Sequence, residues 1–237
     1  MSATERLSLP IGRRALPPSG RIECWLVNVS GLALDLPSGE RQARADRRSA
    51  RIRQQFLLRL ILGAYLGRPG KDIRLVRDSV GKPALADEGR SSGLEFNLSH
   101  SGSWLAVAVA RGAPVGVDIE RRRTLPRSAE LARRYFSAAE AEAVAELDEP
   151  ARSRRFLALW TVREAHIKAM GSTLAVALRQ MVFAAESGET LQLPAHWPAA
   201  QAWSVFSPSG DRPLTIRIAT PQPGCSLQML ELDCDPD

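Results

Sequence analysis

Gly116-Val117-Asp118-Ile119-Glu120, with Trp160-Thr161-Val162-Arg163-Glu164-Ala165-His166-Ile167-Lys168 further along the chain, carries the most informative residue pattern in the sequence. The first stretch sets two acidic residues one position apart inside an apolar run and reads as a strand. Residues i and i+2 of a strand point to one face, so Asp118 and Glu120 stand side by side. Two carboxylates held that close repel and raise each other's pKa. A cation between them removes the repulsion, and a hard divalent ion such as Mg2+ prefers oxygen ligands. The second stretch reads as a helix in which Glu164 and Lys168, four apart, share a face. A third carboxylate and an ammonium beside a carboxylate-bound metal suit phosphate chemistry.

Working outward, a strand is expected over Arg21 to Val29 after an irregular lead-in rich in Pro, Gly and Ser. Pro37-Ser38-Gly39-Glu40 looks like a helix start with Ser38 as N-cap. The pattern from Arg41 to Leu66 is helical in two parts, the first carrying Arg41, Arg44, Arg47, Arg48, Arg51 and Arg53 and the second Phe56, Leu57, Leu60, Ile61 and Tyr65. Arg44, Arg48 and Arg51 fall on one face. A strand follows near Ile73 to Arg77, then a turn at Gly81-Lys82-Pro83. Glu95 to Leu98 and Trp104 to Ala110 read as two strands around a polar turn, Ser99-His100-Ser101-Gly102. After the break at Gly112-Ala113-Pro114 and the acidic strand, Ser128 to Leu147 and Ala151 to Met170 read as helices. From Met181 onward come short β-like runs, among them Thr215 to Ala219 and Ser226 to Leu232. Strands and a long helix on each side of residue 115 hint at two similar α/β halves.

At 237 residues the chain can build one large or two small cores. No apolar run approaches the roughly 20 residues that cross a bilayer, and Met1 to Pro10 lacks the apolar core of a secretory signal, so the default compartment is the cytoplasm. Cys24, Cys225 and Cys234 have no metal-ligand spacing and read as free thiols, which argues against zinc. A net charge of +6, carried mostly by arginine, points to a polyanionic partner. Part of that charge also fits a genome rich in Arg and Ala.

Five pieces occur in order: Gly81-Lys82-Pro83, Phe96-Asn97-Leu98-Ser99-His100-Ser101, Gly116 to Glu120, Phe136-Ser137-Ala138-Ala139-Glu140, and Trp160 to Ala169. Together they resemble the Sfp-type 4'-phosphopantetheinyl transferases, with a looser match in the basic helix from Arg41 to Gly67. The resemblance implies a monomer with an α/β (α+β) fold of two pseudo-symmetric halves, residues 1–114 and 115–237, and an active site in the cleft between them. The first half would carry the basic helix and strands that bind coenzyme A, the second the metal strand and the Trp160 to Lys168 catalytic helix. It also implies a holo-carrier-protein synthase that moves the phosphopantetheine arm of coenzyme A onto a serine hydroxyl of an acidic acyl or peptidyl carrier protein. The released product would be 3',5'-ADP and the metal Mg2+.

By the same resemblance, Asp118, Glu120 and Glu164 match the metal ligands. Glu164 also fits the general base for the carrier serine, a role that competes with tight metal binding, and both readings stay open. Lys168 would face the phosphates and steady the leaving group. Lys82, Ser99 and His100 match positions that contact coenzyme A, and Arg44, Arg48 and Arg51 lie where relatives hold the 3'-phosphate. Phe136, Glu140 and Trp160 read as structural support. Two positions depart from the pattern: Arg163 stands where the family usually has Lys, exchanging a point charge for a planar fork, and Thr173 where many members have Gly.

Plainer readings compete at each position. Asp118 and Glu120 could be a solvated strand face, Glu164 and Lys168 a surface ion pair worth a few tenths of a kcal/mol, and His100 a buried structural histidine. Two other function classes compete, a degenerate relative that binds coenzyme A or a carrier without catalysis, and a nucleic-acid-binding module using the arginine helix. The second has only 5% aromatic residues to stack on bases and leaves the acidic trio unexplained.

Overall fold

The computed structural model describes residues 4–32, 42–78, 81–86, 89, 91–173 and 177–234. The N-cap expected at Ser38 and the helix start at Arg41 lie outside these residues, as does the Arg44 side chain. In chain order the elements are β1 (Glu5–Ser8), β2 (Arg21–Asn28), α1 (Gln42–Leu66), β3 (Leu75–Arg77), β4 (Pro83–Leu85), β5 (Leu94–Ser101), β6 (Trp104–Arg111) and β7 (Gly116–Arg121). They continue with α2 (Ser128–Tyr135), α3 (Ala138–Ala145), α4 (Ala151–Met170), β8 (Val182–Phe183), β9 (Thr190–Gln192), β10 (Ser204–Phe206), β11 (Leu214–Thr220) and β12 (Ser226–Asp233). The mixed α/β class expected from the sequence is the class observed.

Four layers follow from where the apolar residues point. A five-stranded sheet runs β1-β12-β2-β6-β5, with β12 parallel to both β1 and β2 and the remaining pairs antiparallel. β2 is buried on both faces, as a central strand requires. Trp25 and Val27 face α1, where they meet Leu57, Leu58, Ile61 and Leu62. Ile22, Cys24 and Leu26 face the other way and pack with Val117, Ile119, Ile216 and Ile218 of an antiparallel three-stranded sheet, β10-β11-β7. The outer face of that second sheet is covered by α4, with α2, α3, Trp197 and Trp203 completing a third apolar cluster.

β12 pairs with β2 from Ser226↔Arg21 to Leu232↔Val27. The first sheet therefore draws a strand from each side of residue 115, and a division at 114/115 would separate β12 from the four strands it joins.

Two expectations are corrected. Ser128 to Leu147 is two helices, because the Ser137 side chain caps α3 by accepting from the Glu140 N–H while the Glu140 carboxylate accepts from Ser137 N. This capping box starts a new helix and ends the old one. Ser99, His100 and Ser101 belong to β5, and the turn is the two residues Gly102-Ser103, with Gly102 at φ +61°. A two-residue hairpin of this kind needs positive φ, which glycine supplies without strain.

Helix α4 crosses β7 at Gly116. A Cβ there would overlap the Ala165 carbonyl oxygen and lie 2.5 Å from Ala169 N, so only glycine allows this approach, and the approach sets the depth of Glu164 and Lys168 over Asp118. Gly116→Ala is expected to cost about 2 kcal/mol by overpacking. Its turnover per folded molecule should fall by about ten-fold or more, since small misplacements of reacting groups are costly. Thermal melts paired with rates corrected for folded fraction check both parts, and wild-type values would show that the helix has room to move.

Candidate active site

β5 and β7 lie side by side at the edges of their sheets without a backbone ladder between them. Side chains at every second position of β5 take its place. Val117 N donates to Asn97 Oδ1 at 3.0 Å, Ser99 Oγ donates to Asp118 Oδ1 at 2.8 Å, and Ser101 Oγ donates to Glu120 Oε2 at 3.0 Å while accepting from Arg121 N. Strand alternation puts Asn97, Ser99 and Ser101 on one face. The same alternation sends His100 to the opposite face, where it is exposed.

Asp118 is buried. Its Oδ1 accepts from Lys168 Nζ at 2.6 Å, and Lys168 Nζ also donates to Ser99 Oγ at 3.0 Å. Ser99, Asp118 and Lys168 thus form a closed triangle linking β5, β7 and α4. Burial outweighs the nearby ammonium and pushes the Asp118 carboxyl above its ordinary range, with Glu120 adding to the rise. Asp118 Oδ2 is buried with no hydrogen-bond partner, a costly arrangement for a carboxylate oxygen. Glu120 is partly exposed and also paired with Arg123 at 2.8 Å.

Glu164 sits one turn before Lys168 on the same face. Burial raises its carboxyl from 4.5 to about 7, opposed by Lys168 and reinforced by Asp118 and Glu120. All three carboxylates therefore sense one another. A folded-state pKa above the unfolded value means that folding takes up a proton between pH 4.5 and about 7, so this group makes stability fall as pH rises through that window. Glu164→Gln removes the effect. In the metal-free protein the variant should be more stable than wild type at pH 8 by about 1 kcal/mol, discounting the full conversion of the shift for residual solvent, and equal to it near pH 4. Urea unfolding at the two pH values checks this.

Hard oxygen donors on one face, one of them an orphaned buried carboxylate oxygen, fit a divalent cation. Among the described residues no three His, Cys, Asp or Glu side chains are close enough to hold a metal as placed, and Lys168 holds the cation position at Asp118 Oδ1.

Lys82 reaches the C-terminal end of the same helix. Its Nζ donates to the Ala169 carbonyl at 3.4 Å, and burial lowers its pKa. A cleft of about 410 Å³ opens there, lined by Lys82, Glu95, Phe96, Ala169, Met170 and Gly171. Gly171 ends α4 in the left-handed conformation at φ +59°, and Thr173 beyond it is exposed. The structure thus gathers Ser99, Asp118, Glu120, Glu164 and Lys168, with Lys82 at the rim. Arg51 lines a separate hollow on α1.

Arg163 points away from the site. It is fully buried and donates to Glu140 Oε1 at 2.5 Å and to the Leu159 carbonyl at 2.9 Å, stacked over Phe136 at 4.0 Å. The departure from Lys at this position therefore falls on packing rather than on a phosphate contact, and Phe136 and Glu140 are its partners. His166 is likewise interior. Its Nδ1–H donates to the Val162 carbonyl at 2.7 Å, Thr190 Oγ1 lies 3.2 Å from Nε2, and burial lowers its pKa to about 4. Asn97 and Ser101, which join β5 to β7, were not singled out in the sequence; the signal was the alternation of small polar residues from 97 to 101.

Two sequence models match the chain. That of the 4'-phosphopantetheinyl transferase superfamily covers residues 114–216, and one described as 4'-phosphopantetheinyl transferase, N-terminal, covers residues 40–112. Among curated proteins, the 4'-phosphopantetheinyl transferase HetI of Nostoc sp. is 36% identical over 150 residues, 63% of this chain and 61% of the relative. The 4'-phosphopantetheinyl transferase Sfp of Bacillus subtilis is 34% identical over 122 residues, 52% of each chain. The human L-aminoadipate-semialdehyde dehydrogenase-phosphopantetheinyl transferase is 29% identical over 137 residues, 54% of this chain and 44% of the relative. The matches thus span about half to three fifths of the curated bacterial relatives.

Proposed function

Because the chain belongs to the 4'-phosphopantetheinyl transferase superfamily, we propose that it transfers the 4'-phosphopantetheine arm of coenzyme A to a serine hydroxyl of an apo acyl or peptidyl carrier protein, releasing 3',5'-ADP. The observation that carries this reading is the Ser99–Asp118–Lys168 triangle beside a Glu164 carboxyl poised at about 7.

The serine oxygen forms a bond to the phosphorus nearest the pantetheine, and the bond from that phosphorus to the bridging pyrophosphate oxygen breaks. Glu164, with a pKa near the working pH, is the group that accepts the serine proton, directly or through a water. Lys168 uses two of its three N–H donors on Asp118 and Ser99; the third serves a phosphate oxygen of the leaving group. Lys82 holds a coenzyme A phosphate at the rim of the cleft; Ser99, whose one O–H is donated to Asp118, positions Asp118 and Lys168 and is assigned to coenzyme A from the resemblance. His100 and the arginines Arg44, Arg48 and Arg51 are assigned, from the resemblance, to the same ligand and its 3'-phosphate. Asp118 and Glu120, with Glu164 when it is not acting as base, would hold Mg2+. The ion supplies charge neutralisation on the pyrophosphate.

The proposed partner is an acidic carrier, matched by the chain's net charge of +6. Residues 1–114 and 115–237 are the proposed halves around the cleft, and the proposed state is a monomer in the cytoplasm. Among the described residues no helix is long and apolar enough to cross a membrane.

The test is intact-mass spectrometry of an apo carrier incubated with the chain, coenzyme A and Mg2+, with an EDTA control. A gain of one phosphopantetheine that EDTA prevents is the expected result. Binding of coenzyme A without any gain, across acyl and peptidyl carriers, would instead assign a degenerate binder.

A further inference from the structure

The apolar core between the two sheets is closed at one end and open at the other. Cys24, Val117 and Ile218 are fully buried, whereas Leu26, Leu214 and Ile216 keep 7%, 4% and 6% of their surface. At that second end lies a cavity of about 560 Å³, floored by Leu26, Leu214, Ile216 and Met229 and walled by the loop 208–213. Arg212 of this loop lies over the Trp104 ring, 4.6 Å from its centroid, and pairs with Glu231 of β12. All three side chains line the cavity, as does Arg6, which stands opposite Glu231 in the β1–β12 register. Leu214 and Ile216 point into the inter-sheet core, while strand alternation turns Asp118 and Glu120 of the adjoining β7 toward α4. The β7–β11 pair therefore stands between this cavity and the acidic residues of the active site.

We infer that this cavity binds a linear aliphatic carboxylate, with its chain between the sheets and its head at Arg6 and Arg212. The Leu, Ile and Met side chains of the floor offer no strong hydrogen-bonding group, and an apolar cavity takes an apolar guest in preference to water. The volume falls within the roughly 300–1,000 Å³ of small-molecule sites. A guanidinium presents five N–H donors in a planar fork that fits a carboxylate, and a bidentate partner such as Glu231 uses at most two of them. Arg212 thus keeps donors for a second carboxylate, and Arg6 adds more. Glu231 and Asp211 stand in the same wall, so a doubly charged phosphate is repelled where a single carboxylate is tolerated. A nucleotide base would need the Trp104 face, which Arg212 already covers. The binding does not depend on the transfer reaction and stands or falls separately from it.

The probe is sodium decanoate, titrated by isothermal calorimetry into the full chain below the concentration at which it forms micelles. The expected result is one saturable equivalent with a Kd of about 100 µM or tighter. Hexanoate, with a shorter chain, should bind about a hundred-fold more weakly. Decyltrimethylammonium, with the opposite charge, should bind about ten-fold more weakly or worse. Arg6→Glu, at an exposed position, should weaken decanoate about ten-fold, and Met229→Trp, which fills the floor, should abolish binding. If Met229→Trp does not fold, Arg6→Glu and the hexanoate comparison decide. Saturating coenzyme A should leave the titration unchanged; displacement by it would put the chain in the active cleft and overturn the inference. Binding without saturation, equal binding of hexanoate or of decyltrimethylammonium, binding untouched by Arg6→Glu, or no binding overturns it as well.

Discussion

Asp118→Asn should lower transfer to an apo carrier by about a thousand-fold or more, equivalent to about 4 kcal/mol of transition-state stabilisation, while leaving the fold within about 1 kcal/mol of wild type. The two halves of that expectation have separate causes. The Asn side chain keeps an oxygen for the Ser99 hydroxyl, now 2.8 Å from Asp118 Oδ1. It removes a charge that burial already disfavours. Lys168 loses its 2.6 Å partner, yet its side chain is 27% exposed and can turn to water, so little stability is lost. What disappears is the anionic oxygen pair proposed to hold the metal, one member of which has no other use in the fold. Turnover measured with saturating coenzyme A, beside a urea unfolding curve, checks both. Activity within ten-fold of wild type would sink the metal-site assignment.

The largest stability effect is expected at Glu140. Its carboxylate accepts from Arg163 at 2.5 Å, from Phe183 N at 2.9 Å, and from Ser137 N and Oγ at 2.9 and 2.6 Å. Glu140→Ala removes the carboxylate half of the α3 capping box and strands a fully buried guanidinium, which costs about 3–5 kcal/mol, a large part of the 5–15 kcal/mol typical of a whole domain. Replacing both partners, Glu140→Leu with Arg163→Met, removes the unpaired charge and should recover most of the loss. A urea double-mutant cycle reads the coupling directly. Because Arg163 faces away from Asp118, the double variant should keep its turnover per folded molecule. If the single variant proved nearly neutral, the pair would not be the anchor described.

Local pattern made some elements legible and left others hidden. α4 was bounded correctly at Ala151 and Met170, and the alternation of Val117-Asp118-Ile119-Glu120 placed both carboxylates on the face away from the apolar inter-sheet core. The spacing of Glu164 and Lys168 put the ammonium on that same site. The misreading of Ser99-His100-Ser101 as a turn has a clear source. Polar residues at a sheet edge suggest solvent, whereas here every second one bonds to β7. Ser137-x-x-Glu140 carried a capping signal that could have split the long helix. Arg163 could not have been placed inside from its chemistry alone, since its acidic partner lies 23 positions away. The insertion of β12 beside β2 was likewise invisible, because nothing in a strand's own periodicity names its neighbour.

That insertion governs the order in which the molecule can be assembled. β12 lies between β1 and β2 in the first sheet, and its partner in β2 was made about 200 residues earlier. During synthesis β2, β6 and β5 emerge long before the strand that separates β1 from β2, so the nascent sheet presents an open backbone edge until residues 226–233 arrive. Residues 1–114 expressed alone would carry that unfilled edge permanently and are expected to aggregate or swap strands. A synthetic peptide spanning 226–233 added to that fragment is the natural complement for restoring it.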